Sequence, residues 1–135
     1  MRQNSRTLAA PAIMMSDLDQ ERLTALATAA LERVPEVAEE LLTEIARATV
    51  VEPGKLPAAV VRMGSTVEFS SDGGARRRVT LVYPGEADIA EGRISILTPV
   101  GAALIGLSEG QTIVSSRRDG REQHLTVLSV APANG

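Results

Sequence analysis

The sequence predicts an α+β protein in which a short antiparallel helical hairpin precedes an antiparallel sheet with one short helix. Three observations lead to this fold class. Apolar residues recur every three or four positions over residues 16–50, which indicates amphipathic helices. Apolar and polar residues alternate over much of residues 61–131, which indicates strands. Residues 51–60 contain two prolines and a glycine, and they are predicted to be a linker between the two units.

The composition limits the classes of function. The chain has 135 residues, so one or two small domains are expected. It contains one Phe, one Tyr and no Trp, so its core must be aliphatic. The absence of Cys excludes disulfides and thiolate metal sites, and it fits a cytoplasmic protein. The net charge of −3 argues against broad nucleic-acid binding.

The first fifteen residues are predicted to be a disordered tail. Two arginines precede an apolar run over residues 8–15, which imitates a signal peptide. Pro11 interrupts this run, and polar residues follow it without a suitable cleavage site. The sequence leaves open whether Met14 or Met15 is the natural start.

The hairpin is predicted from its caps and its apolar stripes. Ser16 is a suitable N-cap with Asp19 three residues later, and Pro35 suits the first turn of a second helix. Each helix is expected to have about 15 residues and a length of about 22 Å. The stripes consist of Leu23, Leu26, Ala27, Ala30, Leu31 and Val34, and of Val37, Ala38, Leu41, Leu42 and Ile45.

The tip of the hairpin carries charged residues whose role the sequence leaves open. Nine acidic residues and three arginines lie between Asp17 and Glu52. Glu36 and Glu39 are predicted in the first turn of the second helix, where the helix dipole favours carboxylates, and Arg33 lies just before them. A solvated helix face is the favoured interpretation. The alternative is that the tip presents these acids to a metal or to a basic partner.

The C-terminal part is predicted to form four or five antiparallel strands. Its Asp-Gly-Gly sequence at residues 72–74 is typical of a hairpin turn. Residues 94–97 are predicted as a strand and residues 112–116 and 124–130 as a pair joined by a turn at 117–120. A short buried helix follows Thr98-Pro99. Its small residues are expected to let it lie close to the sheet, and these are Ala102, Ala103 and Gly106.

The sequence offers no constellation for catalysis, cofactor or metal binding, so we expect no enzyme activity. His124 has no second His or Cys to complete a site, and a structural role is favoured over a catalytic one. Arg76 to Arg78 follow a hairpin turn, and a solubilising role is favoured over contact with phosphate or a partner. The acids of residues 86–91 lack the spacing of a calcium loop.

Residues 80–113, TLVYPGEADIAEGRISILTPVGAALIGLSEGQTI, resemble the C-terminal domain of transcript-cleavage elongation factors of the Gre type. Over residues 16–131 the chain is more similar still to the Rnk family, named as regulators of nucleoside diphosphate kinase. The resemblance implies an FKBP-like C-terminal domain, a coiled-coil hairpin and binding to RNA polymerase near its secondary channel. We expect the chain to compete with Gre-type factors without stimulating transcript cleavage, because the predicted helices are short and Arg33 stands between isolated acids at the tip.

The resemblance implies a partner-binding site as well. Leu97, Thr98 and Pro99 match the turn with which Gre-like factors contact the polymerase, and Leu97 stands where cleavage factors carry an acid. Direct regulation of nucleoside diphosphate kinase is the alternative function, and an indirect link to that kinase is also open. Prolyl isomerase activity is disfavoured, since two aromatic residues cannot line an aromatic pocket. No direct contact with nucleic acid or membrane is expected.

Overall fold

The computed structural model describes residues 11–116 and 120–132 and confirms the α+β class. Within these residues, three α-helices accompany a five-stranded sheet and a separate two-stranded sheet. The helices are α1 (Asp17–Ala30), α2 (Pro35–Arg47) and α3 (Pro99–Leu104). The strands are β1 (Met14–Ser16), β2 (Thr49–Val51), β3 (Thr66–Ser71), β4 (Arg76–Val82), β5 (Arg93–Ser95), β6 (Thr112–Ser116) and β7 (Glu122–Ala131).

The two long helices form the hairpin that the apolar stripes predict. The backbone N–H of Asp19 donates to Ser16 Oγ at 3.0 Å, so Ser16 caps α1. Pro35 opens α2, where its missing N–H costs nothing. Both helices place residues of their stripes in the same core, which contains Leu23, Ala27, Leu41 and Ile45. Val34 was expected in the first stripe, but it is the N-cap of α2 and is exposed.

The large sheet has the strand order β5-β4-β3-β7-β6 and is mostly antiparallel. The exception is β5, which was expected to be antiparallel but pairs with β4 in parallel. The reason is the connection over residues 83–92. It contains two short 3₁₀ turns and returns the chain to the C-terminal half of β4, so that Arg93 pairs with Thr80. The expected turn at residues 117–119 lies outside the described residues.

The structure corrects the boundary of the predicted disordered tail. Residues 1–10 lie outside the described part of the chain, but Ile13 and Met15 are buried and β1 pairs in parallel with β2. The N–H of Met14 also donates to the carbonyl of Gly106 at 3.1 Å. This segment therefore connects the helical hairpin to the sheet, because its alternate side chains fill the core and its backbone bonds to both units.

The segment predicted as a linker, residues 51–60, also packs against the rest of the molecule. It starts in β2, continues through a 3₁₀ turn at Pro53–Lys55 and buries Leu56 and Val60. Within the described residues, no helix is long and apolar enough to cross a membrane.

Candidate partner-binding groove

The turn Leu97-Thr98-Pro99 joins β5 to α3 and is held by its own hydrogen bonds. Thr98 Oγ1 donates to the carbonyl of Ser95 at 2.7 Å and accepts from the N–H of Gly101 at 3.1 Å. Thr98 is therefore the N-cap of α3, and Pro99 is its first residue. All three residues of the turn are half-buried, and Leu97 packs against the core. The turn is thus more rigid and less exposed than a simple surface loop.

Gly101 lets α3 begin directly against this turn. A Cβ atom at this position would lie 2.5 Å from the carbonyl oxygen of Ser95 and 3.0 Å from the Cα of Ile96. Gly106, in contrast, faces Ile13 and Met14 rather than the large sheet. The close packing of α3 against the sheet, expected from Ala102, Ala103 and Gly106, therefore also requires Gly101. Gly106 instead allows close packing against the N-terminal segment at Ile13 and Met14.

At the tip of the hairpin, Arg33 lies in the turn between α1 and α2 and is exposed. Glu36 and Glu39 are exposed residues of α2. Of these two, only Glu36 lies in the first turn of the helix, so the expected placement of Glu39 there is wrong. The helix dipole acts within the first turn and accounts for Glu36 alone.

A groove runs between α2, α3 and β6, and it brings together two predicted sites. Its volume is about 470 Å³. Glu36 and Glu39 line it on one side and Pro99 on the other, whereas Arg33, Leu97 and Thr98 do not line it. We call this feature the acidic groove. Its lining residues are Glu36, Glu39, Glu40, Thr43, Glu44, Pro99, Ala102, Ala103, Ile113, Val114 and Ser115.

Several of these residues were not predicted as site residues from the sequence. Glu40 and Glu44 continue from Glu36 at intervals of four residues, so their shared helix face could have been recognised from the spacing. Ile113 and Val114 carried no such signal. Their position opposite α2 depends on how the sheet packs against the hairpin.

Negative charge accumulates on the α2 side of the acidic groove. Burial raises the pKa of the Glu40 carboxyl, and the nearby carboxylates of Glu36 and Glu44 raise it further. Glu44 is paired with Arg47, whose Nη2 lies 2.6 Å from Glu44 Oε1. Among the ion pairs between described residues, none involves Glu36, Glu39 or Glu40, so these three carboxylates have no cationic partner within that part of the chain.

A second, smaller cavity lies where α1 meets the large sheet. Its volume is about 230 Å³, and Asp19, Arg22, Met63 and Tyr83 are among its lining residues. The N–H of Met63 donates to Asp19 Oδ2 at 3.3 Å. Burial raises the pKa of the Asp19 carboxyl even though this hydrogen bond lowers it. Burial also raises the pKa of the Tyr83 hydroxyl, and the nearby charge of Asp19 raises it further. The hydrogen bond between Met63 and Asp19 makes the cavity part of the junction between hairpin and sheet.

The other charged candidates are spread over the large sheet. The N–H of His124 donates to Asp72 Oδ1 at 2.8 Å, beside the β3–β4 turn. The guanidinium of Arg77 lies 5.9 Å from the centre of the Phe69 ring, and Arg78 lies opposite Glu68 in the backbone register of β3 and β4. Among the described residues, no three His, Cys, Asp or Glu side chains converge as a metal site.

Comparison with known proteins gives matches over nearly the whole chain. The family model described as "Transcription elongation factor, GreA/GreB, C-term" matches residues 56–132, and the one described as "Rnk N-terminus" matches residues 11–51. The chain is 38% identical over 122 residues to the protein named "Regulator of nucleoside diphosphate kinase" from Escherichia coli strain K12. This match covers 89% of each protein.

Transcription elongation factors are also similar to the chain. The factor GreA of Nitratidesulfovibrio vulgaris is 40% identical over 90 residues, which are 66% of this chain and 56% of that protein. A solved structure titled "Prokaryotic transcription elongation factor GreA/GreB from Nitrosomonas europaea" superposes with a TM-score of 0.71. It is 39% identical, and the match covers 90% of this chain and 98% of that one.

Proposed function

Because the chain belongs to the family of Rnk-type regulators with a GreA/GreB-type C-terminal part, we propose that it is a non-enzymatic transcription regulator that binds RNA polymerase. The single observation that carries the proposal is the match of both units, in order, to one such regulator over 89% of each chain. Binding occurs near the secondary channel of the polymerase and competes with Gre-type factors. An FKBP-like sheet unit and a coiled-coil hairpin are part of the same proposal.

Within this proposal, Leu97, Thr98 and Pro99 form a contact with the polymerase. Support comes from the rigid geometry of the turn, because a contact surface that is already ordered loses little conformational entropy on binding. The part of each half-buried side chain that remains exposed is available to the partner.

Combining Thr98→Asp with Pro99→Ala is expected to weaken polymerase binding about tenfold. The change places a charge and removes an apolar ring at the proposed contact, while Asp can still accept the N-cap hydrogen bond of α3. A titration against purified core polymerase measures the affinity, and circular dichroism checks the fold. Unchanged affinity with a preserved spectrum would contradict the proposed contact.

The chain is also expected not to stimulate transcript cleavage. Helices α1 and α2 have 14 and 13 residues, so each is only about 20 Å long. At the tip, Arg33 stands between Glu32 and Glu36 and opposes the binding of a catalytic cation there. A short hairpin without convergent carboxylates fits a competitor rather than a cleavage factor.

Transcript cleavage can be measured with a stalled elongation complex that carries end-labelled RNA. Excess protein and Mg²⁺ are added, with polymerase alone as the control for its own slow cleavage. The RNA is expected to keep its length relative to that control. Shortening above the control would show that the hairpin does support cleavage and would refute this part of the proposal.

The printed name of the E. coli relative favours a second candidate, direct binding of nucleoside diphosphate kinase. The two candidates are separated by measuring the affinity of the purified chain for core polymerase and for the purified kinase in parallel. Binding to polymerase alone supports the proposed function, and binding to the kinase alone favours the second candidate.

A further inference from the structure

We infer that the acidic groove binds an extended segment of the partner that carries lysine or arginine, aligned along the free edge of β6. The inference rests on the proposed function, since it takes RNA polymerase as the partner. It adds a second contact surface to the Leu97-Thr98-Pro99 turn, with which it shares only Pro99.

β6 lies at the edge of the sheet. It is the last strand in the order β5-β4-β3-β7-β6, so among the described residues one of its sides has no neighbouring strand. Consecutive side chains of a strand point to opposite faces, yet Ile113, Val114 and Ser115 all line the groove. The groove therefore follows the edge of the strand rather than one face of the sheet. An extended peptide can add to such an edge through main-chain hydrogen bonds.

The edge of β6 also lacks the usual protection against added strands. Edge strands commonly carry Lys, Pro or a bulge that discourages pairing. The sequence of β6, TIVSS, contains no charged residue and no proline, and its pairing with β7 is regular over Thr112–Ser116. Val114 is apolar and 49% exposed. The edge can therefore pair with an added strand, and the specificity for that strand must come from the residues that flank the edge.

The wall that faces this edge is negatively charged. Glu36, Glu40 and Glu44 repeat at intervals of four residues, and such like-charged neighbours destabilise a helix. The helix dipole favours Glu36 and Arg47 pairs with Glu44, but neither effect accounts for Glu40. The described groove lining contains no basic side chain to neutralise it. Cationic side chains of a partner would do so, while an acidic segment would be repelled.

The floor of the groove supplies the apolar part of the recognition. Ala102 and Ala103 are small and Ile113 is a core residue, so partner side chains can approach α3 closely. With about 470 Å³, the groove has room for several side chains. If basic and apolar residues alternate in the bound segment, the basic side chains can face the acidic wall and the apolar ones the floor, because alternate side chains of an extended chain point in opposite directions.

The decisive variant is Glu36→Lys with Glu39→Lys, which reverses two exposed charges in the groove. Its matched control is Glu21→Lys with Glu32→Lys, which reverses two exposed acids outside the groove and gives the same net charge. Affinity for purified core polymerase is measured for the unaltered chain and for both variants at one salt concentration. We expect at least a tenfold loss for the groove variant and less than a threefold loss for the control.

A photo-crosslinking amino acid at Val114 then identifies the segment in the groove. The crosslinked polymerase peptide is expected to be rich in Lys or Arg. Equal affinities of the groove and control variants, or a crosslinked peptide with net negative charge, would overturn the inference and leave the proposed function standing. Crosslinking to residues 1–10 of this chain or to a second copy would also overturn it. If the unaltered chain fails to bind polymerase at all, the proposed function and this inference both fail.

Discussion

Replacing Phe69 by alanine is expected to lower the free energy of unfolding by about 3–5 kcal/mol. Phe69 is fully buried on β3, the central strand of the large sheet, between β4 and β7. It is the only Phe of the chain, so no second Phe ring can fill the space that it leaves. Its removal also deprives the Arg77 guanidinium of the ring beneath it.

The loss at Phe69 is measured by chemical denaturation, with thermal melting as a second readout. A change of this size should lower the melting midpoint by about 10–20 °C in a domain of this length. Phe69→Leu is the control, because leucine keeps much of the buried apolar surface and should cost considerably less. A loss below about 1 kcal/mol for Phe69→Ala would contradict the placement of the ring at the centre of the core.

The second large effect is expected at Gly101, where alanine should cost about 1–3 kcal/mol of stability. Its Cβ would lie 2.5 Å from the carbonyl oxygen of Ser95, and a backbone atom cannot move aside as a flexible side chain can. Alanine is favoured over glycine in a helix by about 1 kcal/mol, so the clash must exceed this gain for the prediction to hold. Displacement of the turn before α3 should also weaken polymerase binding.

Gly85→Ala is the matched control for Gly101→Ala. Gly85 lies in the exposed 3₁₀ turn Pro84–Glu86, and a Cβ there would meet nothing within 4 Å. The free energy of unfolding of the Gly85→Ala variant should differ from that of the unaltered chain by no more than about 0.5 kcal/mol. Denaturant unfolding compares both variants with the unaltered chain. A Gly101→Ala protein as stable as the control would show that the turn and α3 can separate at little cost.

Much of the secondary structure could be predicted because its signals are local. Ser16 and Pro35 are recognisable at helix starts since capping involves only residues in the next turn. The Asp-Gly-Gly turn was equally clear, and Asp72 and Gly73 do adopt the positive φ angles, 51° and 73°, that such a turn needs. The strand at residues 112–116 was predicted with its observed bounds.

The errors arose where an element depends on a distant part of the chain. β1 is stabilised by β2, by Gly106 and by the burial of Ile13, none of which can be inferred from residues 11–16 alone. The parallel pairing of β5 likewise depends on the course of residues 83–92, because strand periodicity is the same for either direction.

The residue types of the candidate site can be read directly from the chain: a column of glutamates on α2, a proline-bearing turn before α3 and an uncharged strand at residues 112–116. That these three elements share one groove, with Arg33 and Thr98 outside its lining, follows from the folded arrangement alone. Periodicity and capping act over a few residues, whereas the groove forms where the buried faces of α2, α3 and β6 pack into one core.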